Sequence, residues 1–278
     1  MTKIGLHVSA AGDVALAPQR ALDDGCECFQ FFSRPPQGGP AKEITSEQAE
    51  KFKIICKDNN LSSYIHTPYY INLASATGRI YHGSVSVIRE ELERGSQLGV
   101  DALMTHIGSA KDLGGEKAIK KVIKGIAEIL DGYTGSTRFL IENAAGAGAI
   151  IGDSFEEIAG IINAKELKKY SIGVCLDTCH AFASGYDLRD EKTVKETFKK
   201  FDEVIGLDKL VLIHGNDSKT ELDSKKDRHE HIGDGEIGKA GFEALVKLAD
   251  QYNVDIVLET PKDGKELEDL KLLKKMRK

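Results

Sequence analysis

The chain has 278 residues, 41% of them hydrophobic and 29% charged, enough apolar material for one core the size of an α/β barrel. No run approaches the ~20 consecutive apolar residues of a membrane helix, and the opening Met-Thr-Lys-Ile-Gly-Leu-His-Val lacks the features of a secretory leader, so a cytoplasmic protein without membrane contact is expected. The net charge of −6 excludes a uniformly basic nucleic-acid module, but three divalent cations in an acidic cleft would offset it, and the local field matters more than the sum.

Eight times the pattern runs apolar segment, loop, amphipathic segment. Residues 3–8 are the first expected strand, followed by a helix near 14–22. Residues 26–32 are the second, with a helix over 46–57 after a Pro/Gly loop. Strand three is 63–65; its helix, 79–98, sets Val85, Ile88, Leu92 and Ser96 at spacings of three and four, the stripe of a helix lying on a sheet. Strand four, 102–105, precedes a helix with Ile119, Val122, Ile123, Ile126, Ile129 and Leu130 on one face. Strand five, 138–141, precedes a helix holding Phe155, Ile158 and Ile162. Strand six, 172–176, is uninterrupted by charge and suits a position covered on both faces; Val194, Phe198 and Phe201 mark the helix behind it. Strand seven is 210–213, then a long loop and a helix with Phe242, Leu245 and Leu248. Strand eight is 254–258, and Leu267, Leu270 and Leu273 close the chain.

Eight βαβ units in series predict a single (β/α)8 TIM barrel of class α/β over residues 1–278, with its working face at the C-terminal rim of the strands. An open doubly wound sheet fits less well, because no G-x-G-x-x-G follows the first strand; His7-Val-Ser-Ala-Ala-Gly12 stands there. Cys26, Cys28, Cys56, Cys175 and Cys179 are odd in number and lie in or beside apolar segments, so buried reduced thiols are expected and not disulfides. The Lys/Glu-rich residues 262–278 read as a solvated helical face.

The strand ends carry the chemistry. Strand three ends in His66, four in His106, five in Glu142, six in Asp177 with His180, seven in His214 and eight in Glu259. With 8 His and 44 Asp and Glu among 278 residues, six such ends in succession do not follow from composition. The loop after strand seven adds Asp227 and His229. That gives five imidazoles and four carboxylates. A single catalytic zinc needs three protein ligands, whereas nine suit three cations once one carboxylate bridges two of them. The imidazole-rich N/O set favours zinc, with manganese or iron able to serve in part, over magnesium or calcium. His82 is expected on a helix surface. His7 and His231 are placed outside the ligand set, because each has a better-placed neighbour or stands at the opposite side of the barrel.

Five blocks, His7-Val-Ser-Ala-Ala-Gly12, the run from Leu176 to Asp187, Asn216-Asp-Ser-Lys219, the run from Asp227 to Gly238, and Leu258-Glu-Thr-Pro261, resemble the endonuclease IV family of zinc-dependent apurinic/apyrimidinic endonucleases nearly end to end. The resemblance implies His66, His106 and Glu142 on a first zinc, Glu142, Asp177, His214 and Glu259 on a second, and His180, Asp227 and His229 on a third. It also implies hydrolysis of the phosphodiester 5′ to an abasic site in duplex DNA by a monomer, with Glu142 and Glu259 as catalytic groups. Tyr69, Arg34, Gln37 and Arg228 are its implied DNA contacts. Gln37 and Gly39 stand where many members carry an Arg and a Trp, and Asp13 and Asp223 replace common glycines, substitutions expected to be tolerated in loops. A rival reading remains on the same barrel. Glu142, Asp177, His214 and Glu259 also form the one-metal set of sugar isomerases and epimerases, which leaves the other five ligands without a task. A non-catalytic DNA-binding or metal-storing protein is disfavoured by the lack of a basic stripe or helix-turn-helix.

Overall fold

In the computed structural model, which describes residues 1–278, eight parallel strands close on themselves. They are β1 (Ile4–His7), β2 (Cys28–Phe31), β3 (Ser62–His66), β4 (Ala102–Thr105), β5 (Arg138–Glu142), β6 (Gly173–Asp177), β7 (Leu210–His214) and, after a short antiparallel pair β8 (Asp217–Ser218) and β9 (His229–Glu230), β10 (Asp255–Leu258), which returns to β1. The expected TIM barrel is therefore the fold. Its coat is α1 (Ala17–Asp23), α2 (Ser46–Asp58), α3 (Gly78–Leu98), α4 (Gly115–Leu130), α5 (Phe155–Ile162), α6 (Thr178–Ala183), α7 (Glu191–Val204), α8 (Gly238–Tyr252) and α9 (Glu266–Met276). No helix is long and apolar enough to cross a membrane. All five cysteines are unpaired thiols and four of them are buried.

Period-two alternation sorts the core and positions the site. Cys28, Tyr64, Ala102, Met104, Leu140, Cys175, Leu212 and Val257 form a small cluster of their own inside the barrel. Their strand neighbours Phe29, Ile65, Leu103, Ile141, Leu176, Ile213 and Leu258 join the larger core of 60 residues between barrel and helices. One more step of two along each strand, past Cys28, Tyr64, Met104, Leu140, Cys175, Leu212 and Val257, reaches Gln30, His66, His106, Glu142, Asp177, His214 and Glu259. The ligands are thus the next inward layer above a filled lumen, and register aligns them: His66 pairs with Met104, Glu142 with Cys175, and Asp177 with His214. Gly5 completes the packing, because a Cβ there would stand 1.6 Å from the Cys28 carbonyl oxygen.

Four of the helices, α2, α5, α6 and α7, start at a side-chain cap. Thr45 and Gln48 form a reciprocal capping box on α2, and Asp190 and Thr193 do the same on α7. The helix expected over 14–22 divides into a 3-10 turn, Val14–Leu16, and α1, which restarts with Pro18 in its first turn, where the missing N–H costs nothing. Asp13 caps that turn through the Ala15 N–H and also accepts from Gln48. Asp223 stands at φ +63, a left-handed conformation that Asp tolerates better than most residues.

Candidate metal centre

The inward-facing strand ends meet at one rim, where nine groups fall into three clusters. His66, His106 and Glu142 form the first; Glu142, Asp177, His214 and Glu259 the second; His180, Asp227 and His229 the third; a further grouping, Asp177, Cys179 and His229, overlaps the second and third and adds only the Cys179 thiol. Within each, the potential ligand atoms lie within 4.8 Å of one another. Glu142 belongs to two clusters and divides its oxygens between them. Oε2 lies 2.9 Å from His66 Nε2 and 3.7 Å from His106 Nε2, while Oε1 lies 3.0 Å from His214 Nδ1. The third cluster needs local structure the sequence did not announce. Asp177 ends β6 and caps α6 by accepting the His180 N–H at 2.8 Å, which turns His180 into the same cavity. The β8–β9 pair folds the long loop back so that Asp227 Oδ2 comes 3.2 Å from His180 Nε2, and Asp227 Oδ1 3.2 Å from His229 Nε2.

Four of the five imidazoles donate one ring N–H to an oxygen outside the clusters. His66 Nδ1 bonds the Thr67 carbonyl at 2.6 Å, His180 Nδ1 the Asn143 carbonyl at 3.1 Å, His229 Nδ1 the Glu259 carbonyl at 3.1 Å, and His214 Nε2 the Gln30 side-chain oxygen at 2.7 Å. That outer bond fixes the tautomer and leaves the other nitrogen's lone pair facing a carboxylate oxygen. A ring nitrogen and a carboxylate oxygen at such distances need a proton or a cation between them, and this imidazole-rich N/O set fits divalent cations that take the protons' place. Two buried ring nitrogens without a hydrogen-bond partner, His106 Nδ1 and His229 Nε2, belong to the same clusters.

The electrostatics agree. Burial pushes the Glu142 carboxyl up, but His106, His214 and His66 outweigh it and hold the group well below the usual carboxylate range. Burial lowers His180 and His229, yet Asp177 and Asp227 push them up to about 10 and about 9. Metal uptake must displace protons held this firmly. In the metal-free protein these raised values contribute stability that is fully present below the ordinary value of 6.5 and is lost as pH rises through about 9 to 10, while metal affinity rises over the same interval. Any increase in Tm that a divalent cation such as zinc gives should therefore grow from pH 6.5 to about 9. Thermal unfolding with and without zinc across that range checks it; an increase that shrinks with pH would contradict the assignment.

Several positions differ from expectation or were not foreseen. Arg34 does not offer its guanidinium to a ligand. Its Nε donates to Glu91 at 2.7 Å and a terminal nitrogen lies 2.7 Å from Glu90, so the buried side chain ties the loop after β2 to α3. His7, expected outside the ligand set, ends β1 on this rim, with Nδ1 3.6 Å from Glu259. His231 is remote from the clusters and bonds Asp269 at 2.7 Å. Tyr69 is 68% exposed and stands edge-on to Phe32, and Gln37 and Arg228 are also exposed. Three buried amides escape sequence reasoning. Asn143 both accepts from the Asp177 N–H and donates to its carbonyl, Asn216 donates to Asp177 Oδ2 at 2.6 Å, and Gln30 donates to Glu259 at 2.6 Å. The only signal was a polar residue at an inward position of a short apolar strand or just past its end. Beside the centre lies a cleft of about 760 Å³ that shares His7, Tyr69 and Glu259 with the rim.

Residues 18–276 match a family model described as a xylose isomerase-like TIM barrel. A probable endonuclease 4 of Nitrosopumilus maritimus is 41% identical over 269 residues, 94% of either chain. The crystal structure of endonuclease IV from Thermus thermophilus superposes with a TM-score of 0.87 at 30% identity, covering 99% of this chain and 98% of that one. A D-tagatose 3-epimerase-like protein superposes with a TM-score of 0.73 at 17% identity, over 99% of this chain and 97% of that one, a likeness of fold alone. Since barrel and second cluster are compatible with either chemistry, identity along the whole length decides the matter: the chain belongs to the endonuclease IV family.

Proposed function

We propose that the protein is a zinc-dependent apurinic/apyrimidinic endonuclease that hydrolyses the phosphodiester on the 5′ side of an abasic nucleotide in duplex DNA, leaving a 3′-hydroxyl and a 5′-deoxyribose phosphate. The observation that carries this reading is the convergence of nine ligands, four of whose imidazoles are turned inward by outer hydrogen bonds, into three clusters joined through Glu142. Three zinc ions, with manganese or iron able to replace some, would supply positive charge for activating water and for stabilising the pentavalent phosphorus and the departing O3′. The chain's own groups do the rest. Glu142 holds the first two clusters at a fixed separation. Glu259 takes the Gln30 hydrogen bond on Oε1, which leaves Oε2 to orient the attacking water and accept its proton. Asp227 and His229 arrive on the β8–β9 loop on the other side, where the leaving oxygen would stand.

An abasic site presents no base edge, so recognition has to rest on the backbone, on the ease of bending and on extrusion of the sugar. Tyr69, exposed at the rim, is suited to stack in the gap left by the missing base; Gln37 and Arg228 are the other exposed candidates. One chain supplies the whole centre, and the monomer is taken as the working unit. The epimerase reading uses the second cluster only, and what weighs against it is the pair of additional clusters.

Incubating the protein with a duplex carrying one tetrahydrofuran abasic analogue should give a single nick 5′ to the lesion, abolished by a strong chelator and restored by zinc. Metal analysis of the same sample should approach three ions per chain. Intact substrate at full metal loading would overturn the function, and one ion per chain would turn the reading toward the epimerases.

A further inference from the structure

Of the inward-facing side chains at the eight strand ends, Gln30 alone is neither acidic nor imidazole. It is fully buried and joins groups from three other strands: Nε2 donates to Glu259 Oε1 at 2.6 Å and lies 2.9 Å from His7 Nδ1, while Oε1 lies 2.7 Å from His214 Nε2. We propose that Gln30 is a positioning residue for incision, which turns His214 Nδ1 toward the second metal cluster and holds Glu259 by Oε1 so that Oε2 is turned to that cluster and to the attacking water beside it.

Only one orientation of the amide satisfies these contacts. Reversed, its oxygen would face the Glu259 carboxylate at 2.6 Å, acceptor against acceptor, so the NH2 end must point there. One of its hydrogens serves Glu259 and the other His7 Nδ1, which leaves the His7 proton on Nε2. The amide oxygen then requires a proton on His214 Nε2. Nδ1 is thereby stripped for coordination, 3.0 Å from Glu142 Oε1 and 3.3 Å from Glu259 Oε2. A single neutral side chain thus sets one ligand's tautomer and the rotation of the carboxylate beside it. Neutrality matters. A Lys or Arg at this place would add a positive charge next to the cations, and a carboxylate would repel Glu259. The backbone of Glu259 is held separately, its N–H donating to Asn216 Oδ1 at 2.8 Å and its carbonyl accepting from His229 Nδ1 at 3.1 Å, which fixes the main chain but not the carboxylate.

The inference rests on the proposed nuclease function, and two variants test it. Gln30→Met keeps length and volume and removes all three hydrogen bonds; Gln30→Glu keeps an acceptor for His214 and removes the donor for Glu259. After dialysis against a competing chelator, Gln30→Met should hold one zinc per chain about 10- to 100-fold more weakly than the parent, as loss of an outer partner does at metal sites. Gln30→Glu should retain the parent's metal. At saturating zinc both should incise abasic duplex with kcat lowered roughly 10- to 100-fold and KM within about twofold, the pattern of a group that acts on the transition state. Folded variants that keep kcat within about threefold, or that lose KM alone, would overturn the proposal. Gln30→Glu carries the test by itself if Gln30→Met does not fold. Should the parent fail to cut abasic DNA, the function is wrong, and the chelator comparison still decides whether Gln30 governs His214: weaker retention by Gln30→Met with retention kept by Gln30→Glu supports it, and unchanged retention by Gln30→Met or equal loss by Gln30→Glu overturns it.

Discussion

If each cluster holds one ion as proposed, Glu142→Ala should remove about two of them and lower incision by roughly 10⁴-fold or more, since it withdraws charge stabilisation at two positions that are each worth on the order of 10²- to 10³-fold. The expectation follows from how the carboxylate is shared. Oε2 serves His66 and His106 and Oε1 serves His214, so its loss leaves the first cluster with imidazoles only and the second without the group that links it to the first. Glu142→Gln separates the lost charge from the lost volume. The amide oxygen can replace one carboxylate oxygen, but the NH2 group then faces an imidazole lone pair or a cation on the other side, so at least one ion should still be lost. Metal analysis after gel filtration reads the count, and thermal unfolding with and without chelator reads the coupling. The parent should lose Tm on chelation and Glu142→Ala should lose much less, because a ligand stabilises only by the sites it occupies. Full metal content in Glu142→Ala would show that the two clusters do not share this carboxylate.

The site was legible in the sequence to the extent that strand periodicity is. Because side chains alternate across a strand, an apolar run ending in His, Asp or Glu announces where that last side chain points once the fold is a barrel, and His66, His106, Glu142, Asp177, His214 and Glu259 were all found this way. The strand limits erred in a telling direction. Strand three was expected over 63–65 and strand six over 172–176, whereas the strands run Ser62–His66 and Gly173–Asp177. In each case the ligand is itself the last strand residue, since polarity that looks like the start of a loop is here the inner layer of the barrel. What the sequence hides is pairing over distance. Arg34 looks free until Glu90 and Glu91 of α3 close on it. His7 is set outside the ligand set by sequence, and the pairing of β1 with β10 shows which ligand it stands beside, Glu259. Gln30, Asn143 and Asn216 carry no charge, so neither composition nor spacing separates them from ordinary polar residues, although they orient His214, Asp177 and Glu259. The two-residue strands β8 and β9 are too short for a period, and only their pairing brings Asp227 to His180.

Glu259→Gln should leave the barrel folded and reduce kcat by roughly 10²- to 10⁴-fold, the range for removal of a general base. Glu259 is placed for that task by three neighbours on different strands: Gln30 holds Oε1 at 2.6 Å, His7 Nδ1 stands 3.6 Å from the same oxygen, and His214 Nδ1 lies 3.3 Å from Oε2. Burial pushes its carboxyl up, but His214, His7 and His66 outweigh burial and hold it well below the usual carboxylate range, so the acceptor is ionised at any pH where the protein works. In the variant neither amide orientation suits both Gln30 and a metal-bound His214. With its oxygen toward Gln30, the new NH2 group faces His214 Nδ1 and the metal cluster; reversed, it meets the Gln30 NH2 group, donor against donor. Metal content should fall by no more than one ion per chain, because Glu142, Asp177 and His214 remain in the second cluster and the other two clusters are untouched. KM for abasic duplex should stay within about threefold, since the task assigned to Glu259 is the attacking water and not the DNA backbone. That split distinguishes Glu259 from Tyr69 or Arg228, whose replacement would weaken DNA binding and spare the chemical step. A Glu259→Gln enzyme that keeps its metal and cuts within about tenfold of the parent would mean that another group receives the proton of the attacking water, and His7, the next titratable side chain at that edge of the centre, would become the candidate.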